Sequence, residues 1–212
     1  MGLFDLTSFG KIEVTGRDAV TLLERVAGNR NRPAGSVVYT QFLTPRGGIA
    51  ADVTVTRMAE DRFRVVTGSA TVDADLGWLR AHVADGDDVA LREASEEHAV
   101  IGLWGPRARE VLASVTDDDV SNDGFPYLRG RVVDVGGAVV WAQRIAYVGE
   151  LGWELVEPEW AVPVWDRLME AGGPHGIAVC GYRALDNLRI EGVPLLPDGH
   201  VYARRPVRGG AR

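Results

Sequence analysis

The sequence contains little cysteine and no long apolar run, and each scarcity excludes a class of protein. Cys180 is the single cysteine among 212 residues, which excludes an intramolecular disulfide and any metal site built from several thiolates. No stretch approaches the roughly 20 consecutive apolar residues that a membrane-spanning helix needs, so we expect no membrane insertion. The N-terminal residues MGLFDLTSFGK lack a basic segment followed by an apolar one, and we therefore expect no secretory signal and a cytoplasmic protein.

Lysine is almost absent as well, and the charge is unevenly distributed. Lys11 is the only lysine among 23 basic residues, and the net charge is −7. Residues 193–212 hold four arginines and one aspartate (+3), so residues 1–192 hold 19 basic and 29 acidic residues (−10). This acidic body argues against general nucleic-acid binding, and we expect no nucleic-acid partner. The 46% hydrophobic and 25% charged residues are typical of a globular protein with a sizeable core.

Hydrophobic periodicity predicts a mixture of strands and helices. Apolar residues at 19, 22, 23 and 26 have helical spacing, whereas residues 49–56 alternate between apolar and polar as in a half-buried strand. The same reasoning predicts strands at 11–14, 37–43, 63–67, 89–92, 99–104, 131–135, 138–144 and 153–156, and helices at 71–83, 160–171 and 181–191, with a short helix after Gly105-Pro106 and a hairpin turn at Gly136-Gly137. Because strands and helices do not strictly alternate, the pattern favours an α+β fold with mixed sheets and ferredoxin-like β-α-β-β units.

Several common catalytic and metal-binding patterns are missing. The four histidines (His82, His98, His175 and His200) do not have the spacing of a zinc site, and none is near Cys180, so we expect no metal. The nucleophile elbow, the phosphate-binding P-loop and the dinucleotide fingerprint are absent too. The acidic run at 117–119 is interpreted as a solvated loop rather than an ion site.

Asp52 is the first candidate functional residue. It is a polar position of the alternating strand 49–56, between Ala51 and Val53, after the glycines at 47 and 48. Its carboxylate lies either on a solvent-facing surface with Thr54 and Thr56 or in a pocket, where it would handle a proton or a developing cation. The pattern leaves both alternatives open.

Glu154 is the second candidate. It follows a turn with two glycines, lies beside Trp153 and comes seven residues after Tyr147. Such a turn lets the backbone approach a planar ligand, an aromatic ring stacks on it, and a carboxylate accepts paired N–H donors from its edge. A pterin-like ring would suit this combination. The alternative is a salt-bridged residue on a surface strand.

Taken together, these segments resemble the folate-binding domain of the aminomethyltransferase family, the T-protein of the glycine cleavage system. The version fused to dimethylglycine and sarcosine dehydrogenases is the more similar. The likeness covers residues 2–192 and is carried by GLFDLTSFGKIEVTGRDA, VVYTQFLTPRGGIAADVTVTR, DRFRVVTGSA, IGLWGPRAREVL, RIAYVGELGWEL and GYRALDNLRIEG. The iron–sulfur-assembly sister group has a cysteine-containing motif that AYVGELGWE lacks.

The resemblance assigns roles to particular residues. The essential aspartate of the GG-x-x-x-D motif falls on Asp52, and the upstream pterin-contacting tyrosine falls on Tyr39. The family's Tyr-Thr-Gly-Glu signature is similar to the segment from Tyr147 to Glu154, so both of those residues inherit pterin-binding roles, and Thr54 lines the same pocket.

Two further positions are not assigned to ligand binding. Glu150 is interpreted as shaping its turn. Leu185 stands where the family has an arginine, which places a contact to the folate tail in doubt.

The activity implied by the resemblance is one-carbon transfer to tetrahydrofolate, which captures an iminium-like carbon from an aminomethyl carrier or an oxidised N-methyl amine. Asp52 would stabilise the cationic intermediate and orient the attacking folate amine. The implied partners are folate, a small amine-derived donor, and a lipoyl carrier protein or a flavin oxidoreductase chain. No metal or flavin is needed within this chain. The alternative is a non-catalytic folate-binding fragment or remnant of a dimethylglycine or sarcosine dehydrogenase.

The basic segment 193–212 departs from the resemblance. After this point, family members continue with a Pro-Tyr-Glu-Ala-Gly run and a C-terminal barrel. Before the start of the likeness they have additional N-terminal sequence or a flavin domain. We expect the barrel and these N-terminal parts to be absent here. Codons that encode this segment can be chosen so that an adjacent reading frame translates to GYRYFRTDMSMLDDPYEAGLG, which is very similar to the sequence of the family at this point. We therefore hypothesise a frameshift near Gly192 and Val193, which resequencing the gene across that point would test.

Overall fold

The fold is known from a computed structural model that describes residues 1–30, 33–157 and 159–191. The hypothesised tail at 193–212 lies outside the described residues. In the described part the strands are β1 (Gly2–Asp5), β2 (Gly10–Thr15), β3 (Val37–Leu43), β4 (Ile49–Ala59), β5 (Arg62–Thr67), β6 (Ala90–Glu93), β7 (Ala99–Trp104), β8 (Gly130–Val135), β9 (Ala138–Gln143), β10 (Gly152–Glu157) and β11 (Ala178–Cys180). The α-helices are α1 (Ala19–Val26), α2 (Val72–Ala81), α3 (Ala108–Ala113), α4 (Ala161–Gly172) and α5 (Tyr182–Glu191).

The first sheet is antiparallel, with strand order β3-β4-β5-β2-β6. One face carries the apolar residues of the alternating strands and is covered by α1 and α2, whose Leu22, Leu23 and Leu79 are fully buried. Because side chains alternate along a strand, the polar residues of β3 and β4 other than Thr40 lie mainly on the opposite face. The first candidate site lies on this polar face.

The second sheet is mixed, with strand order β11-β1-β7-β10-β9-β8, since β1 pairs with β11 in parallel and with β7 antiparallel. Residues of α3 and α4 join the apolar cluster on one face, around Trp153. Leu185 of α5 joins a second cluster with Phe4, Trp104 and Val156.

The two sheets are joined at the loop before β3 and the start of β8. The Val37 N–H donates to the Leu128 carbonyl at 2.9 Å, and the Gly130 N–H donates to the Gly35 carbonyl at 2.8 Å. Near these bonds Thr56 of β4 meets Gln143 of β9, so residues far apart in sequence contact each other between the sheets.

The structure confirms the α+β class and most of the predicted elements, with shifts of a few residues at their ends. The Gly136-Gly137 hairpin is also confirmed, and both glycines have positive φ (59° and 93°), as a tight turn between β8 and β9 requires. Two strands escaped prediction, β1 and β11, because they are only four and three residues long. None of the described helices is long and apolar enough to cross a membrane.

Candidate functional site

Asp52 is held by two side chains from the neighbouring strand. β3 and β4 place Gln41 directly opposite Asp52 and Tyr39 opposite Thr54. The Tyr39 hydroxyl donates to Asp52 Oδ2 at 2.8 Å, and the Gln41 amide donates to Asp52 Oδ1 at 3.0 Å. Asp52 is exposed, so the solvent-facing alternative is the one observed. Its two oxygens nevertheless have fixed directions, because each accepts one hydrogen bond.

Tyr39 is a permanent donor in this arrangement. Partial burial, the hydrogen bond to Asp52 and the negative charge of Asp52 raise the pKa of Tyr39 to about 12. The phenol therefore stays protonated at neutral pH and keeps donating to the carboxylate. Tyr147 raises the pKa of Tyr39 further, so its phenol also acts on this part of the site.

Glu154 occupies a different environment, inside the second sheet. On β10 it lies between Gly102 of β7 and Gln143 of β9. Burial raises the pKa of Glu154 to about 7, and the hydrogen bond from the Gln143 amide to Glu154 Oε2, at 2.8 Å, opposes this increase. Within the described residues Glu154 forms no ion pair, so the salt-bridged alternative is not observed among them.

A hydrogen-bonded connection runs from Glu154 to the polar face of the first sheet. Gln143 Oε1 accepts a hydrogen bond from the Thr56 hydroxyl at 2.9 Å, and both side chains are buried. Thr56 follows Asp52 and Thr54 on the same face of β4. One face of the molecule therefore carries Tyr39, Asp52 and Thr54, and its buried end reaches Glu154.

Three of these residues were not predicted from the sequence as part of the site. Gln41 is two positions from Tyr39 on the same strand face, and that spacing could have identified it as a second partner of Asp52. Gln143 is the only strongly polar residue in the apolar strand AVVWAQ, which is a weaker signal. Thr56 gave no signal beyond sharing a face with Asp52.

The segment between β9 and β10 carries Tyr147, which is 51% exposed. The Arg189 guanidinium of α5 lies 6.0 Å from the centre of its ring and also bonds Asp186 at 3.0 Å. Leu185 is 1% exposed, so the position where the resemblance expects an arginine holds a core residue. Glu150 is exposed at its turn.

The candidate residues form an open surface rather than an enclosed cavity. Cavities of about 180 and 670 Å³ open instead beside the Gly136-Gly137 turn, with Arg167 in the lining of both. No candidate site residue lines either of them. Within the described ranges, no group of three His, Cys, Asp or Glu side chains could hold a metal ion.

The chain is similar in sequence to a known domain family and to several known proteins. The model of the GCVT N-terminal domain matches residues 1–197. Dimethylglycine dehydrogenase from Mus musculus is 37% identical over 193 residues, 90% of this chain but 22% of that protein. Aminomethyltransferase from Halalkalibacterium halodurans is 35% identical over 194 residues, 90% of this chain and 52% of that protein.

A solved structure agrees with these sequence relatives. The glycine cleavage system aminomethyltransferase T from Bartonella henselae superposes with a TM-score of 0.74 at 27% identity, covering 90% of this chain and 50% of that chain. The chain thus spans between about a fifth and a half of the length of these three relatives. The family model covers nearly the whole sequence, and the chain belongs to the GCVT N-terminal domain family, whose members bind folate.

Proposed function

We propose that this chain is the folate-binding part of a tetrahydrofolate-dependent aminomethyltransferase. It would assist transfer of a one-carbon unit from an aminomethyl or N-methyl amine-derived iminium to tetrahydrofolate. The observation that carries the proposal is the Asp52 carboxylate, held by Tyr39 and Gln41 on an exposed face that also reaches the partly buried Glu154. Relatives named aminomethyltransferase and dimethylglycine dehydrogenase support it.

Glu154 is suited to the edge of a pterin ring. That edge presents two neighbouring N–H donors, and an ionised carboxylate can accept from both. Gln143 donates to only one of the Glu154 oxygens, so acceptor capacity remains for a ligand. Tyr147 offers an exposed aromatic ring beside the same segment.

Asp52 is suited to the reacting carbon, because its negative charge is opposite to the charge of an iminium. In the transfer, one folate amine bonds to the iminium carbon, the donor amine leaves, and a second folate nitrogen closes onto the same carbon. Of the two N–H protons lost from folate, one leaves on the donor amine and one is released. The Tyr39 and Gln41 bonds keep the carboxylate oriented throughout.

A second candidate function is folate binding without catalysis, as a fragment or remnant of a dimethylglycine or sarcosine dehydrogenase. The exposure of the site favours it, since Tyr39 is 53% and Tyr147 51% exposed. In that case the chain alone would not catalyse transfer, and another chain would have to cover the site. A lipoyl carrier protein and a flavin oxidoreductase are the candidate partners.

Calorimetric titration of the chain with tetrahydrofolate separates folate binding from no binding, and absence of binding would overturn both candidates. Transfer is then followed as methylenetetrahydrofolate formed while a flavin oxidase, added in trans, oxidises sarcosine or dimethylglycine. We expect Asp52→Asn to bind tetrahydrofolate but to lose transfer by about 100-fold. Asp61→Asn, in the exposed β4–β5 turn, is the matched control. Unchanged transfer in Asp52→Asn would remove Asp52 from the mechanism.

A further inference from the structure

Gln143 lies between the two sheets and uses both ends of its amide. It is 2% exposed, its nitrogen donates to Glu154, and its oxygen accepts from Thr56, which is 87 residues away in sequence. A buried amide without these bonds would lose solvation without compensation, so both partners are needed to keep it in place. We propose that Gln143 is a positioning residue that orients the Glu154 carboxylate for its ligand and favours its ionised form, and that Thr56 anchors Gln143.

The orientation of the amide follows from the chemistry of its neighbours. An ionised carboxylate only accepts hydrogen bonds, so it must face the Gln143 nitrogen. The amide oxygen then points to Thr56, whose hydroxyl can donate to it. This connection therefore favours the ionised form of Glu154, which is the form able to accept two N–H donors from a ring edge.

Among the described residues, no charged side chain substitutes for Gln143 in this environment. Gly102, opposite Glu154 on β7, brings no side chain, and in this part of the chain the pKa of Glu154 is set by its burial and by the hydrogen bond from Gln143. On α5, Asp186 and Arg189 pair with each other. Gln143 is thus the one described donor that offsets the cost of ionising this buried carboxyl group.

The direct test needs no folate. NMR titration of the ¹³C-labelled Glu154 carboxyl in the ligand-free chain should give a higher pKa in Gln143→Met than in the parent, because the donor to the ionised form is lost. Thr56→Val should shift the pKa of Glu154 in the same direction by less, and Thr56→Ser, which keeps the hydroxyl, should restore the parental value. Thr40→Val, a buried threonine on the opposite face of the same sheet, is the control. Equal pKa values in the parent, Gln143→Met and Thr56→Val would overturn the proposal.

The consequence for binding rests on the proposed function. Tetrahydrofolate affinity of Gln143→Met should fall about tenfold at pH 6.5 and less at pH 8.5, where Glu154 is ionised in both proteins. An equal loss at both pH values would contradict the role of Gln143 in ionisation. If no form of the chain binds tetrahydrofolate, the proposed function fails while the titration still decides the role of Gln143. If Gln143→Met does not fold, the pKa of Glu154 in Thr56→Val and Thr56→Ser still tests the proposal.

Discussion

Single residues in this protein carry charge in places where charge is costly, and Glu154 is the strongest example. Its pKa is raised to about 7 because burial removes water from the carboxylate. Asp52, by contrast, is exposed and accepts two hydrogen bonds. Two carboxyl groups on one connected face thus have different environments, since Glu154 is partly buried with a raised pKa and Asp52 is exposed.

This difference has a consequence for stability. The folded-state pKa of Glu154 lies above the usual value of 4.5, so between pH 4.5 and 7 the folded protein binds this proton more tightly than the unfolded chain does. The free energy of unfolding therefore falls as the pH rises through this range, and the loss is complete above pH 7. Glu154→Gln should therefore be more stable than the parent at pH 8.5 by about 2 kcal/mol, and about equally stable at pH 4.5. Urea denaturation at both pH values measures the difference, with the exposed Glu150→Gln as control. A stability gain independent of pH would contradict this account.

At the scale of secondary-structure elements, amphipathic patterns and turn residues decide which face of each element is buried. The α1 helix buries Ala19, Leu22, Leu23 and Val26, the residues at helical spacing, and leaves Thr21 and Glu24 exposed. The β3 and β4 strands bury alternate residues, so the polar ones are collected on the other face. The candidate site is a direct consequence of that alternation.

The α1 helix should depend strongly on its apolar stripe. Leu22→Ala removes a side chain that is fully buried in the cluster between α1, α2 and the first sheet. The expected loss is about 3 kcal/mol in the free energy of unfolding, measured by chemical denaturation, because a cavity adds to the lost transfer energy. Glu24→Ala, on the exposed side, should change it by less than about 0.5 kcal/mol. Similar effects of the two substitutions would disprove the burial pattern.

Alanine substitution should have opposite effects on stability at two glycines, one in the β8–β9 turn and one in the α2 helix. Gly137 has a φ of 93° and no neighbouring atom to clash with an added methyl group, so Gly137→Ala should destabilise the protein by about 1 kcal/mol through backbone strain alone. Gly77 lies within α2 with equal space, and Gly77→Ala should stabilise the protein by about 0.5–1 kcal/mol. Thermal denaturation of both variants checks the opposite signs; a shift in the same direction would refute them.

At the scale of the whole molecule, polar groups connect two sheets whose apolar residues form separate clusters. The Thr56–Gln143 bond is one connection, and Lys11 forms another. Lys11 is fully buried, and its ammonium group donates to the carbonyls of Thr7, Phe9 and Ser95 at 2.8–3.1 Å. It thereby fixes the segment that passes from β1 in the second sheet to β2 in the first.

This buried cation predicts a pH dependence of the opposite sign to that of Glu154. Burial, followed by the charge of Arg64, lowers the pKa of Lys11 from 10.5 to about 8. The folded protein therefore binds this proton less tightly than the unfolded chain does, and stability rises with pH between 8 and 10.5. The free energy of unfolding of the parent, relative to Lys11→Met, should increase by about 2 kcal/mol from pH 7.5 to 10. A constant or falling difference in urea denaturation would exclude a lowered pKa.

How far the sequence predicts the fold can be judged from particular elements. The α1 helix, the β4 strand and the Gly136-Gly137 hairpin follow from local periodicity and turn chemistry, because their signals lie within a dozen residues. The β1 and β11 strands do not, since each is short and their parallel pairing joins opposite ends of the described chain. The candidate residues Tyr39, Asp52, Thr54, Tyr147 and Glu154 came from local patterns and the family resemblance, and their ligand roles stay predictions.

The sequence by itself determined that the chain is an α+β protein of the aminomethyltransferase type, with Asp52 and Glu154 as the carboxylates of interest. Only the tertiary structure decided that Asp52 is exposed and bonded to Gln41, and that Glu154 accepts a hydrogen bond from the buried Gln143, which itself accepts one from Thr56. The physical reason is that a strand's alternation is local and therefore readable along the chain. Burial, pKa and hydrogen-bond partners instead depend on which distant strand lies alongside, and that is settled only when the two sheets pack together.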